Sequence, residues 1–160
     1  MATALTPLAN ITTSGSVYNI TFSNISGSYR DLILVMTPKS GTGAEQWEMQ
    51  INSDATTANY SSVYMRGTGS SALSSTITTR PAIRFAVTGI LNGSSIAHIF
   101  DYSATDKHKS VLVRSDDASY GTEAHAGRWA STAAITSIKI STVNWAMLDG
   151  STFSLYGVSA

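Results

Sequence analysis

The sequence predicts an all-β protein whose short antiparallel strands form a sandwich or a barrel, and of these we expect the antiparallel two-sheet β-sandwich. About ten short segments are either apolar throughout or alternate between apolar and polar residues, and turn residues separate them at intervals of roughly 8–14 positions. Helical periodicity does not extend beyond a single turn, for which Ser131–Ala134 is the candidate. No internal repeat is visible, which argues against a propeller or a β-helix.

The predicted central strand is Leu32–Met36, a run of apolar residues without interruption. Turn signals stand on both sides, Ser26–Ser28 before it and Pro38–Gly41 after it, so the space is too short for a helix of about ten residues. An apolar run of this length is typical of a strand that is buried on both faces. We therefore expect a neighbouring strand on each side of it.

Alternating segments predict strands with one buried face. In Val17–Phe22, the side chains of Tyr18, Ile20 and Phe22 share one face. The cleanest alternation is Gln46–Ile51. Further strands are predicted at 60–66, 82–87, 96–102, 110–114, 123–130, 135–140 and 152–158. Besides the central strand, the predicted core comprises Trp47, Met49, Ile51, Phe85, Val111, Val113, Ile138, Ile140, Phe153 and Leu155.

Three polar segments are predicted to lie outside the strands. Residues 1–16 are predicted to be an extended N-terminal arm that precedes a single β-sandwich domain at 17–160, and we expect a neighbouring subunit to order this arm. Residues 67–79 are predicted to be a mobile or partner-contacting loop, and Asn92-Gly93 a tight turn. The apolar positions of the arm, which would dock in a groove of the neighbour, are Leu5, Leu8 and Ile11.

The composition indicates a subunit that associates with others of its kind. Charged residues make up 12% of the chain, the net charge is zero, and 25 serines and 20 threonines dominate the polar positions. A neutral, weakly charged surface repels its own kind poorly and so favours association. The scattered basic residues argue against nucleic acid as a partner. No cysteine, signal-peptide pattern or membrane-spanning apolar run is present, so neither disulfides nor a membrane partner are expected.

The motifs of common catalytic sites are missing from the sequence. The histidines His98, His108 and His125 are too widely spaced to predict a metal site, and Asp106 and the Asp116-Asp117 pair lack the spacing of a calcium loop. There is no Gly-x-Ser-x-Gly motif and no glycine-rich phosphate loop. We therefore expect no enzyme activity, no metal and no cofactor.

Aromatic residues leave a sugar-binding platform open as an alternative. Tyrosine and tryptophan also fill the cores and interfaces of β-proteins, and this second explanation is the favoured one. The residues concerned are Tyr60, Tyr64, Tyr102, Tyr120 and Trp145.

Several phrases in the sequence carry a family resemblance. They are, in chain order, Ile20–Ile25 running into Tyr29–Leu34; Ile51-Asn52, Asn59–Ser61 and the Gly-Thr-Gly-Ser-Ser loop from Gly67; Gly127–Trp129 with Ala134–Ile138; and the ending Gly150–Gly157. In this order, over about residues 17–158, they resemble a family of small virion structural proteins of tailed bacteriophages, which includes head-decoration and tail-fibre-like components.

The resemblance implies a jelly-roll-like β-sandwich in a virion, assembled in the host cytoplasm and often trimeric, without catalytic residues. We expect a capsid decoration (cement) subunit whose partners are further copies of itself and the major capsid protein or other virion proteins. A tail-fibre or receptor-binding tip protein and a carbohydrate-binding module, the latter with a host-surface glycan as partner, are the alternatives. Aromatic residues, Met and Arg are enriched at interface centres. The candidate interface residues, besides those of the arm, are Tyr60, Tyr64, Met65, Arg66, Arg128, Trp129, Trp145 and Met147.

Overall fold

The computed structural model describes residues 5–41, 43–88 and 93–159, with the side chains of residues 87 and 88 excepted. Twelve strands and one short 3₁₀ turn, Thr57–Asn59, occupy these ranges. Ser131–Ala134 contains no helical turn. The strands are β1 (Leu5–Thr12), β2 (Asn19–Phe22), β3 (Asp31–Thr37), β4 (Glu45–Ile51), β5 (Tyr60–Gly67), β6 (Ala72–Ile77), β7 (Ile83–Thr88), β8 (Ser94–Phe100), β9 (Lys109–Asp117), β10 (Gly121–Trp129), β11 (Ile138–Thr142) and β12 (Thr152–Val158).

The strands form two antiparallel sheets that pack face to face. The larger sheet has eight strands in the order β1-β12-β3-β8-β9-β10-β5-β6, and the smaller has four in the order β2-β11-β4-β7. The rings of Trp47 on β4 and Phe153 on β12 meet across the interior with their centroids 6.2 Å apart. The predicted antiparallel two-sheet β-sandwich is therefore confirmed.

Eight of the strands follow a jelly-roll-like path. The set β1-β12-β3-β8 packs against β2-β11-β4-β7, and the chain changes sheet at nearly every step between them. The other four strands are two hairpin insertions, β5–β6 after β4 and β9–β10 after β8. Both insertions join the larger sheet beyond β8 and double its width. We call β9, β10, β5 and β6 the extension.

The central strand β3 lies between β12 and β8, as a strand with partners on both sides should. Its residues Leu32, Leu34 and Met36 are buried in the core, together with all other predicted core residues. Ile33 and Val35 are only half-buried, because no second layer covers the outer face of the larger sheet within the described residues. The prediction that this strand is buried on both faces was therefore wrong for its outer face.

Most of the predicted arm is a strand of the sandwich. β1 pairs with β12 from Leu5 opposite Val158 to Thr12 opposite Thr152, and the register is interrupted between Pro7 and Ala9 because proline cannot donate to a ladder. The order that we expected a neighbouring subunit to impose on residues 5–12 thus comes from the same chain.

Two further segments differ from the prediction. Residues 72–77 of the predicted loop form β6, which pairs with β5 at the edge of the extension. Tyr18 is exposed rather than packed beside Ile20, because β2 begins only at Asn19. Asn92, of the predicted tight turn, lies outside the described residues.

Asp54 links the loop after β4 to the extension. Its carboxylate accepts hydrogen bonds from Trp129 Nε1 at 2.7 Å, from Asn59 Nδ2 at 2.7 Å and from the backbone N–H of Thr56 at 2.9 Å. The bonds from Trp129 and Asn59 lower the pKa of Asp54 from 3.8 to about 2. The ionised carboxylate therefore stabilises the folded state.

This lowered pKa predicts how acid destabilises the protein. The contribution of Asp54 is complete above its unfolded pKa of 3.8 and is lost as the pH falls through about 2. Between pH 4 and 2, the melting temperature of the wild type should fall more steeply than that of Asp54→Asn, which has no carboxylate to protonate. Thermal unfolding by circular dichroism measures both curves, with the exposed loop variant Asp106→Asn as control. Parallel curves for wild type and Asp54→Asn would contradict the assignment.

Gly127 allows the smaller sheet to approach the extension closely. A Cβ atom at Gly127 on β10 would lie 2.4 Å from Cγ2 and 3.2 Å from Cδ1 of Ile83 on β7. Ile83 is fully buried, so it has no free space into which to move. A glycine is therefore required where β7 crosses β10.

Gly127→Ala should destabilise the fold by about 1–3 kcal/mol, because the added methyl overpacks this contact. Gly67→Ala is the matched control, since a Cβ atom at Gly67 on β5 would meet nothing within 4 Å. Chemical denaturation of both variants measures the difference. Equal stability of the two variants would show that the side chain of Ile83 can move to accommodate the added methyl group.

Candidate functional site

The outer face of the extension and of β8 exposes apolar side chains. Strand alternation turns Ile96 on β8, Leu112 on β9, and Val63 and Met65 on β5 away from the core. Their exposed fractions are 52%, 51%, 47% and 63%, respectively. Isolated exposed apolar residues are ordinary on a protein surface, so their mutual position decides whether they form a site.

The strand register joins these residues into one surface. Leu112 stands opposite Ala126, and Ala126 stands opposite Val63. In the neighbouring row, Ala124 stands opposite Met65. Directly opposed side chains of antiparallel strands lie about 4.5–5.5 Å apart, so the rows are continuous. We call Ile96, Leu112, Ala124, Ala126, Val63 and Met65 the apolar face.

Few charges interrupt the apolar face. Arg114 stands between Ile96 and Ala124, and Arg128 lies two residues beyond Ala126 on β10. A shallow depression of about 400 Å³ lies between β8, β9 and β10 along Ile96, Leu112 and Arg114. A broader and more open depression of about 790 Å³ adjoins it over β10, β5 and β6, along Met65, Leu73 and Ala124. Both depressions are shallow, because alanines occupy the outward positions at the middle of β10. A flat apolar surface of this kind suits a protein partner better than a small molecule.

A charged cluster lies on the opposite, inner side of β10. Glu123 and His125 are buried, and His125 Nε2 donates to Glu123 Oε2 across 2.7 Å. Arg66 Nη1 on β5 lies 3.5 Å from Glu123 Oε1 and also donates to the hydroxyl of Tyr120. Because Arg66 supplies a positive charge, the carboxylate of Glu123 is buried as part of an ion pair.

Tyr64 connects this charged cluster to the smaller sheet. Its ring stacks on the imidazole of His125 with centroids 5.4 Å apart, and the guanidinium of Arg84 on β7 lies 4.9 Å from its centroid. Several buried polar atoms on the inner face of the larger sheet and on β7 have no hydrogen-bond partner among the described residues, namely His125 Nδ1, Arg66 Nε, Arg84 Nε, Ser62 Oγ, Ser95 Oγ and Ser115 Oγ. The cluster is closed to solvent at Glu123 and His125, so an acid–base role on an external substrate is not available to that pair.

Lys109 is a further buried charged residue, besides Glu123 and His125. It is fully buried at the start of β9, and its Nζ donates to the carbonyls of Lys107 at 2.9 Å and Thr132 at 3.3 Å. Burial lowers the pKa of Lys109, as in lysines that act as nucleophiles. These hydrogen bonds connect the loops before β9 and after β10 to β9, and solvent does not reach the amine. We therefore assign Lys109 a structural role.

The described residues contain no group of three or more His, Cys, Asp or Glu side chains that could hold a metal ion. They also contain no apolar helix of the length that a membrane span requires.

The predicted interface residues do not form one surface. Met65 belongs to the apolar face, and Arg128 is exposed beside it. Tyr64 and Arg66 belong to the inner charged cluster, while Leu5, Leu8 and Ile11 lie on β1 at the far edge of the sheet. Buried in the core, and so not presented to a partner, are Tyr60, Trp129 and Met147.

Trp145 is exposed on a loop at one end of the sandwich. The buried carboxylate of Glu45 accepts hydrogen bonds from the backbone N–H groups of Val143, Asn144 and Trp145 at 2.6–2.9 Å and fixes this loop. Of the five aromatic residues considered for a sugar platform, Tyr60 and Tyr102 are buried and Trp145 alone is strongly exposed. The five therefore do not line a common platform.

In comparisons with known proteins, no family model and no curated protein matches the chain.

Sequence reasoning missed five of the six members of the apolar face, all except Met65: Val63, Ile96, Leu112, Ala124 and Ala126. A signal for Leu112 was present, because Val111, Leu112 and Val113 are three apolar residues in succession and must supply both faces of a strand. Alternation alone does not say which face the second sheet covers, so it gave no reason to expect an exposed leucine. Val63 and Ile96 carry no comparable signal.

Replacing Glu123 by glutamine should destabilise the protein by about 3 kcal/mol, because the substitution leaves the charge of Arg66 without its partner inside the fold. Chemical denaturation measures the loss. Asp116→Asn is the control, since Asp116 is exposed on the neighbouring strand and its replacement should cost less than about 0.5 kcal/mol. Similar stability for both variants would mean that the buried pair contributes nothing.

Proposed function

We propose that the protein is a structural subunit of a tailed-bacteriophage virion, a capsid decoration (cement) protein that stabilises the shell. The observation that carries the proposal is the apolar face, a surface of six apolar residues that Arg114 interrupts at one position and Arg128 borders. The jelly-roll-like sandwich and the resemblance of the sequence to phage virion proteins support it. The partner of the apolar face would be the major capsid protein or another virion protein.

The energetics of the apolar face suit a contact with a large partner. Full burial of one apolar side chain contributes about 1.5–3 kcal/mol, so the half-exposed Ile96, Leu112, Val63 and Met65 would together contribute about 4 kcal/mol. This is too little for tight binding by one copy, because association itself costs several kcal/mol. The same energy per copy is sufficient for stable attachment when several linked copies bind the same shell.

We propose a binding role without catalysis. The only buried acid–base pair, Glu123 with His125 among the described residues, holds the inner side of β10 and does not reach the surface. No cofactor enters the proposal. The three-fold assembly that the resemblance implies is part of the proposal, with Met65 and Arg128 as the exposed candidates on the extension.

The tail-fibre alternative draws on the same resemblance and the same surface. Electron microscopy of intact virions distinguishes the two positions. Density for this chain on the capsid shell is the expected result, and density at a tail tip would replace the cement proposal by the fibre one. Binding of the isolated protein to a glycan array would favour the carbohydrate-binding module instead.

Charge on the apolar face should weaken attachment to the virion. We expect Leu112→Glu and Val63→Glu each to lower the affinity for virions that lack the protein by more than about tenfold, because a carboxylate would be buried without a partner. Tyr18→Glu is the matched control, since it places the same charge at an exposed aromatic position outside the larger sheet. Co-sedimentation with virions measures binding. Unchanged binding of both apolar-face variants, with the fold intact by circular dichroism, would show that another surface docks.

A further inference from the structure

The two sheets that the described residues form have four edges, and three of these edges are obstructed against further pairing. An open edge offers unpaired N–H and C=O groups to another strand, and natural proteins obstruct it with proline, charge, bulges or shortness. β1 carries Pro7 and an interrupted register. β2 has only four residues. β7 carries Arg84, and its register with β4 breaks between Trp47 and Glu48.

The fourth edge, β6, has none of these obstructions. Its six residues, Ala72–Ile77, contain no charge and no proline, and they pair with β5 without a break in register. No strand pairs with its other side within the described residues. Ser74, Ser75 and Thr76 in its middle are exposed. The chain therefore leaves one edge open while it protects the others.

We propose that β6 pairs antiparallel with β6 of a second copy of this chain, about a two-fold axis at Ser75. Residues directly opposite in an antiparallel pair share one face of the sheet, so a symmetric pair can centre only on a residue. Centring on Ser75 places Leu73 of each copy opposite Ile77 of the other, and Ser74 opposite Thr76. Apolar side chains then meet apolar ones on the inner face, and hydroxyls meet hydroxyls on the outer face.

Symmetric pairing centred on a neighbouring residue is less favourable than pairing centred on Ser75. Centring on Ser74 places Leu73 opposite Ser75 and leaves Ile77 opposite Ser71, so each apolar side chain meets a hydroxyl. A slip by a single residue would move every side chain to the wrong face. Self-complementarity in one register is the reason to choose a second copy as the occupant of the edge rather than an unrelated strand.

Pairing about this axis has a geometric consequence for the outer surface. The two-fold axis is perpendicular to the joined sheet. The apolar faces of the two copies therefore lie on the same side of the joined sheet. Two larger sheets of eight strands become one of sixteen. The inference does not rest on the proposed function, because it follows from the edge alone.

A single cysteine tests the register, since the chain contains no cysteine of its own. In Ser75→Cys, the two introduced thiols face each other across the axis, and mild oxidation should convert most of the protein to a disulfide-linked dimer on a non-reducing gel. In the control Ser74→Cys, the two thiols lie diagonally, about 7–8 Å apart, and should cross-link poorly. Dimers of Ser74→Cys but not of Ser75→Cys, or equal cross-linking of both, would overturn the proposal.

The mass of the unmodified protein gives a second, independent test. Light scattering at micromolar concentration should give an even multiple of 16.9 kDa, which allows a three-fold contact elsewhere but requires that copies be paired. Ser75→Lys brings two like charges together at the axis and should halve the mass, while Ser71→Lys, outside the strand, should not. A wild-type mass of one or three copies would refute the pairing. Failure of virion attachment with pairing intact would instead count against the proposed function alone.

Discussion

A four-stranded sheet cannot cover an eight-stranded one, and this mismatch governs the rest of the structure. Strands lie about 4.8 Å apart, so the larger sheet is roughly 38 Å wide and the smaller roughly 19 Å. β7, the last strand of the smaller sheet, covers β9 and β10 only because Gly127 lets Ile83 come close. Where β7 crosses β10 and β5, the inner surface is no longer wholly apolar, and it carries Glu123, His125, Arg66 and Tyr64.

Apolar side chains lie on both faces of β9, and only the inner ones are explained by the cover of the smaller sheet. Near β8 and β9 the inner face is covered and apolar, so Val111 and Val113 are buried, while Leu112 between them is half-exposed. An ordinary half-covered sheet would place a polar residue at that outward position. This leucine adds little to the core of the chain, and it is one of the residues on which the proposed docking surface rests.

Local sequence patterns were enough to predict the sandwich and most of its core. They could not predict which distant strands pair with each other. Trp47, Met49 and Ile51 could be assigned because alternation is a property of one strand. The pairing of β1 with β12 and the bond from Trp129 to Asp54 join residues 75 or more positions apart, and no local pattern encodes them. β6 was missed because serine and threonine suit a loop as well as an edge strand. The candidate site was predicted only at Met65, since exposure depends on how far the second sheet reaches.

The position of β12 in the larger sheet determines how late in synthesis this sheet can be completed. β12 lies between β1 and β3, although it leaves the ribosome after every other strand. Until it is inserted, β1 has no partner, and β3 is paired on one side only. Contacts between such distant segments close slowly, because the loop entropy is lost before the contact energy is gained. The jelly roll therefore closes only after β12 has been translated, and a chain truncated before β12 cannot complete the larger sheet.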